Sequence, residues 1–129
     1  YDIRLTRPNF EPVMGTGEIH TIEHIGATYL RNRADVKDRV IYWGPMGCRT
    51  GFYLLTRGLS HENAIKLVRE AYIFIRDFDG VIPGCTVEEC GNYLEHDLAS
   101  AKKDVVPLIE ELNGYTVEML DYSWHFNKN

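Results

Sequence analysis

Apolar positions along the chain change their spacing several times, and each change marks an element. Asp2 to Arg7 alternates polar and apolar residues and stops at Pro8, which predicts a strand. Residues 8–17 are rich in turn formers and read as a loop. From Glu18 to about Asn32 the period becomes helical. Ile19, Ile22, Ile25, Gly26, Tyr29 and Leu30 fall on one side of that helix, and His20, Glu23, His24, Ala27 and Arg31 on the other. One face is built for a core and the other for something else.

Val40 to Trp43 and Gly51 to Leu55 are β-branched and aromatic, and predict two strands joined by a Gly44-Pro45-Met46-Gly47 turn that ends in Cys48-Arg49. Ser60 is placed to cap a second helix, in which Ala64, Leu67, Val68, Ala71, Tyr72 and Ile75 keep helical spacing. Val81 to Glu89 reads as a loop. A third helix carries Leu94, Leu98, Ala101, Val105, Leu108 and Leu112 in register, with Gly114 as its stop and a kink or restart expected at Pro107. Thr116 to Tyr122 predicts a last strand. This order of elements predicts an α+β fold, an antiparallel sheet covered by helices on one face, as a single domain over residues 1–129.

Composition narrows the function classes. Of 129 residues 44% are apolar or aromatic, enough for a core without disulfide staples. Fourteen basic residues face 19 acidic ones, and a net charge of −5 argues against general nucleic-acid binding. The second half carries the acidity, so an anionic substrate group would more naturally meet residues 1–60. Three cysteines, without a CxxC pair, read as cytosolic thiols rather than a disulfide framework. No apolar run approaches a membrane span, and the expectation is a soluble, cytoplasmic protein with no membrane partner.

The candidate chemistry sits on the first helix. His20-Thr21-Ile22-Glu23-His24 places two imidazoles at i and i+4, side by side, where they can chelate one metal ion. Glu23 lies on the same side, the position of a general base beside a bound ion. A catalytic metal ordinarily has three protein ligands and one open position, and the third could be Cys90, Cys85, His96, His61 or His125. Cys90 stands where a loop becomes a helix, a rigid place for a thiolate ligand. His96, between Glu95 and Asp97, reads more readily as a local cap or pair. Cys48 follows a glycine turn and precedes Arg49, a cation able to lower its pKa. An HxxEH helix also belongs to inverted-zincin peptidases, which complete the site with a distant Glu. A metal-stabilised binding module is the non-enzymatic alternative.

Three segments in order, His20-Thr-Ile-Glu23-His24, Gly44-Pro-Met-Gly-Cys48-Arg-Thr-Gly-Phe-Tyr53 and Glu89-Cys90-Gly-Asn-Tyr-Leu-Glu-His-Asp97, resemble the S-ribosylhomocysteine lyase (LuxS, autoinducer-2 synthase) family. The resemblance runs from Tyr1-Asp-Ile-Arg4 to Leu98-Ala99. It implies a cytosolic homodimer with shared active sites, cleaving S-ribosylhomocysteine to homocysteine and the quorum-sensing precursor 4,5-dihydroxy-2,3-pentanedione. It also implies His20, His24 and Cys90 as ligands of Fe²⁺, for which Zn²⁺ or Co²⁺ can substitute. Cys48 and Glu23 become the acid–base pair, and Arg4 a substrate-binding residue. The resemblance departs from the family at two points. An N-terminal arm of the family is expected to be missing here, and Tyr42 stands where some members carry an acid.

Overall fold

A computed structural model of the chain describes residues 1–83 and 96–121. Strand β1 (Asp2–Arg4) is followed by helix α1 (Thr16–Asn32), strands β2 (Val40–Pro45) and β3 (Gly51–Thr56), and helices α2 (His61–Arg76) and α3 (Leu98–Leu112). A 3₁₀ turn, Val117–Leu120, comes after α3. The strands form an antiparallel sheet in the order β1-β3-β2, with Ile3 opposite Phe52 and Trp43 opposite Leu54. The α+β class and the antiparallel sheet are as the pattern of the sequence predicts.

Alternation along β3 separates the two faces of the sheet. Phe52 and Leu54 are buried, whereas Tyr53 and Leu55 stand 44% and 51% exposed. The inward residues meet the apolar faces of the helices, and Ile22, Ile25, Phe52, Leu54, Tyr72, Ile75 and Val105 make the driest part of the core. Trp43 stacks on Phe52 with ring centroids 4.8 Å apart and donates its indole N–H to the Glu23 carbonyl at 3.1 Å. Gly26 makes that approach possible, since a Cβ there would lie 2.6 Å from the Trp43 ring. The sheet is thereby pinned to α1 within one turn of the HxxEH residues.

Local signals set the element ends. Ser60 caps α2, its hydroxyl accepting from the Asn63 N–H at 3.1 Å. At the start of α1 no side-chain cap precedes the helix. Instead the Glu18 carboxylate reaches back and accepts from the Gly15 N–H at 2.6 Å. Asp97 caps α3 through the Ser100 N–H at 3.0 Å. Among the described residues no helix is long and apolar enough to cross a membrane.

Three expectations are corrected. Thr116 to Tyr122 contributes no strand as far as Asp121. Its backbone bonds locally instead, Met119 N–H to Thr116 O and Asp121 N–H to Glu118 O, and the Tyr115 hydroxyl donates to the Met119 carbonyl. A segment that satisfies itself this way offers no ladder to a neighbour. Of the kink or restart expected at Pro107, the restart is ruled out, because helix α3 runs through it to Leu112. Proline removes one intrahelical bond, and the buried Val105, Leu108 and Ile109 hold the helix in place around it. Strand β1 ends at Arg4, earlier than expected, because the next two N–H groups, of Leu5 and Thr6, both converge on the Thr50 carbonyl.

Candidate active site

Helix α1 presents the HxxEH side as a half-buried face. His20, Glu23 and His24 are partly covered, while Ile19, Ile22, Ile25 and Leu30 are buried behind them. The His20 and His24 rings stand edge to face with centroids 4.5 Å apart. The Nδ1 of His24 lies 2.8 Å from the Pro83 carbonyl oxygen. A carbonyl only accepts, so Nδ1 carries the hydrogen and Nε2 keeps its lone pair. This is the protonation pattern a metal-binding histidine needs.

A third imidazole joins them. His96, immediately before the Asp97 cap of α3, stacks on His20 with centroids 4.0 Å apart and meets His24 at 4.9 Å. One nitrogen from each of the three rings lies within 4.8 Å of the others. The buried Thr21 brings His96 there. Its hydroxyl is 2.9 Å from the Gly17 carbonyl, accepts the Asp97 N–H at 2.8 Å, and bonds His96 Nδ1 at 3.1 Å. The donor set suits a divalent transition metal. The sequence alone offers His96 as one of five candidate third ligands and favours a local cap or pair for it. Its signal is absent from the primary pattern because its partner, Thr21, lies 75 residues away.

A second group forms around Cys48. The turn between β2 and β3 is closed by Arg49 N–H to Met46 O and Met46 N–H to Gly51 O, with Arg49 in the left-handed region at φ 61°. The turn buries Met46 and leaves Cys48 exposed. The cation at the thiol is Arg4 of β1, whose Nη1 donates to Sγ at 3.5 Å; Arg49, the neighbour in sequence, forms no such bond. Arg4 is held from behind by Asp2, Nε to Oδ1 at 2.8 Å and Nη2 to Oδ2 at 3.2 Å. The Thr50 hydroxyl lies 3.0 Å from the same sulfur. Hydrogen bonds from the Thr50 hydroxyl, then from the Thr50 backbone N–H, then from Arg4, hold the thiol pKa below its ordinary value. An open groove beside this group is lined by Arg4, Phe10, Glu11, Val13, Cys48 and Thr50.

The structure thus unites Arg4 with Cys48, and His20 with His24, and sets Glu23 on the same helix face as the imidazoles. His61 is elsewhere, bonded to the Tyr1 hydroxyl. Cys90, Cys85 and His125 lie outside the described residues. Beside the α1 histidines the described residues place an imidazole rather than the carboxylate an inverted-zincin peptidase requires.

The model of the S-ribosylhomocysteinase (LuxS) family matches residues 1–117. An S-ribosylhomocysteine lyase of Phocaeicola vulgatus is 49% identical over 113 residues, 87% of this chain and 70% of that protein. One of Clostridium acetobutylicum is 53% identical over 102 residues, 78% of this chain and 65% of the relative. A third, of Porphyromonas gingivalis, is 48% identical over 124 residues, 95% of this chain and 78% of the relative. With the match covering nearly all of the chain and the paired imidazoles and activated thiol in place, the chain belongs to the S-ribosylhomocysteinase (LuxS) family.

Proposed function

We propose that the chain is a metal-dependent carbon–sulfur lyase that cleaves S-ribosylhomocysteine to homocysteine and 4,5-dihydroxy-2,3-pentanedione. The observation that carries the reading is the paired imidazoles of His20 and His24, with His24 Nε2 freed for a metal by the Pro83 carbonyl. Cys90 would complete the ligand set, and His96, beside His20 and His24, offers a further donor. Imidazole and thiolate donors suit Fe²⁺ as the resident ion, and admit Zn²⁺ or Co²⁺ in its place. A bound divalent ion supplies Lewis acidity that makes a C–H beside a carbonyl removable near neutral pH.

The remaining steps are proton transfers. The sulfur on C5 leaves only when a carbonyl stands at C3. Cys48 and Glu23, one on each side of the sugar chain, remove and return protons so that the carbonyl moves from C1 to C2 and then to C3. Loss of the C4 proton then breaks the C5–S bond, and homocysteine leaves as the thiolate. The enol left behind takes up a proton to give the dione, with no net oxidation. Positioned acid–base groups of this kind each contribute about 10²–10⁴ in rate. Arg4, salt-bridged to Asp2 and facing the groove, binds substrate and favours the thiolate form of Cys48.

The thiol group sits on the sheet and the imidazole group on the helices, and we assign their union to a homodimer with active sites shared between copies. The exposed apolar side chains on the outer face of β2 and β3 support that assembly. We assign the protein to the cytoplasm, where a free catalytic thiol such as Cys48 stays reduced. The test is thiol release from S-ribosylhomocysteine, with metal analysis on the same protein. Cys48→Ala is expected to keep its metal and fold and lose activity, and full turnover by that variant would sink the acid–base role. Cys90→Ser is expected to lose the ion; a stoichiometric ion in that variant removes Cys90 from the site.

A further inference from the structure

We propose that Thr50 is a positioning residue for the Cys48 thiolate, with its hydroxyl hydrogen turned onto Sγ by Arg4. The hydrogen-bond valences lead to this. A guanidinium only donates, and Arg4 Nη1 donates to the Thr50 hydroxyl oxygen as well as to Cys48 Sγ. The Thr50 oxygen is therefore an acceptor toward Arg4, and its own hydrogen remains to be given. Two sulfurs can receive it: Cys48 Sγ at 3.0 Å and Met46 Sδ at 3.9 Å. The shorter contact ends on the atom that can carry a charge, and a hydrogen bond to an ionised acceptor is roughly twice as strong as a neutral one.

The backbone fixes the threonine so that the bond is permanent. Thr50 is buried, and its carbonyl accepts both the Leu5 and Thr6 N–H groups, at 2.9 and 3.2 Å. Arg4 is equally fixed by its paired bonds to Asp2. The thiolate thus receives the two side-chain donors, besides the Thr50 backbone N–H, from groups that do not have to reorganise when it takes up or gives back a proton. The charged groups at this position are Arg4 from β1, with Asp2 paired behind it, and Glu11 from the loop that lines the groove. Glu11 is engaged with the Arg7 N–H at 2.6 Å. The inference rests on the reading of Cys48 as the proton carrier, and adds the residue that, together with Arg4, favours its anionic form.

The experiment measures the pH dependence of iodoacetamide alkylation, followed at the Cys48 peptide by mass spectrometry, in the wild type, Thr50→Val and Thr50→Ser. Valine matches the shape of threonine and lacks the hydroxyl. Below the wild-type midpoint, Thr50→Val is expected to react about tenfold more slowly, its thiol pKa having risen by about one unit. Thr50→Ser restores the donor and is expected to stay within about twofold of the wild type. A Thr50→Val profile identical to the wild type overturns the proposal, and so does a serine variant shifted as far as valine. If the valine variant does not fold, the wild-type protein still decides. Its Thr50 hydroxyl proton must be protected from solvent exchange in NMR and must follow the Cys48 titration, and a freely exchanging hydroxyl overturns the proposal. Alkylation needs no turnover, so the two readings separate. A fully active Cys48→Ala removes the catalytic role of the thiol and leaves the hydrogen bond, whereas an unshifted Thr50→Val removes the hydrogen bond and leaves the lyase.

Discussion

Thr21 has a single hydroxyl hydrogen, and its surroundings determine where it goes. The Gly17 carbonyl one turn back accepts it, so the bonds to the Asp97 N–H and to His96 Nδ1 are ones in which the oxygen accepts. The hydrogen of His96 then sits on Nδ1 and its basic nitrogen is Nε2, the same tautomer that Pro83 imposes on His24. Thr21→Val keeps the shape and removes this anchor. Metal affinity, measured by competition with a chelator, is expected to fall about 10- to 100-fold, as it does when outer partners of metal-site histidines are lost. Unchanged affinity would mean that the His96 ring does not serve the site. At this scale legibility depended on distance along the chain. The His20–His24 pair was readable because its geometry is helical arithmetic. The placement of His96 beside that pair, and of Arg4 at Cys48, was not, because their partners lie 75 and 44 residues away and only the folded chain brings them together.

Helix α3 lies against α1, and Asp104 shows what that packing costs. Burial first, then a hydrogen bond with Glu18 and the charges of Glu18 and Asp97, push its pKa from the ordinary carboxylate range up to about 8. The unfolded carboxyl ionises near its ordinary value, so between about pH 4 and pH 8 the folded chain holds the extra proton. Stability therefore declines as pH rises through that window. Asp104→Asn removes the burden, and its melting temperature is expected to exceed that of the wild type at pH 8.5 and to match it near pH 4.5. Equal melting temperatures at both pH values would refute the buried-acid account. A second element-scale prediction concerns β1 and β3, which touch at Gly51. A Cβ there would stand 1.9 Å from the Ile3 carbonyl oxygen, so Gly51→Ala must push β1 away. About 1–3 kcal/mol of stability should be lost in urea unfolding. The Cys48 thiol should titrate higher as well, because Arg4 sits directly across from Gly51. Helices α1 and α2 were legible from periodicity and a cap. The segment after Gly114 was not, because its short run of β-formers satisfies its own backbone in a 3₁₀ turn.

Taken as a whole, the molecule has one covered and one bare side of its sheet. Ile41, Tyr42, Tyr53 and Leu55 stand 44–59% exposed on strands β2 and β3, an apolar grouping of the kind that marks an interaction surface. If two copies meet there, Leu55→Lys is expected to shift the sedimentation profile toward monomer and to lower lyase activity while the metal content stays the same. A fully dimeric, fully active variant would place the interface elsewhere. The α+β class, the antiparallel sheet and the family were legible in the sequence because three separate motifs and a change of hydrophobic period all agree. The division of the chemistry between sheet and helices was not, since it belongs to the topology.

That division also orders events in time. The two imidazoles of α1 are separated by one helical turn, so they come together as soon as the helix does. The Arg4–Cys48 bond and the Thr21–His96 bond close loops of 44 and 75 residues, and contacts of such separation form late in folding. The paired imidazoles are therefore in place before β1 has docked beside β3, while the thiol still has its ordinary acidity. The half of the chemistry that needs only one helix thus precedes the half that needs the sheet, and the Cys48 thiol gains its lowered pKa only in a molecule that is already folded.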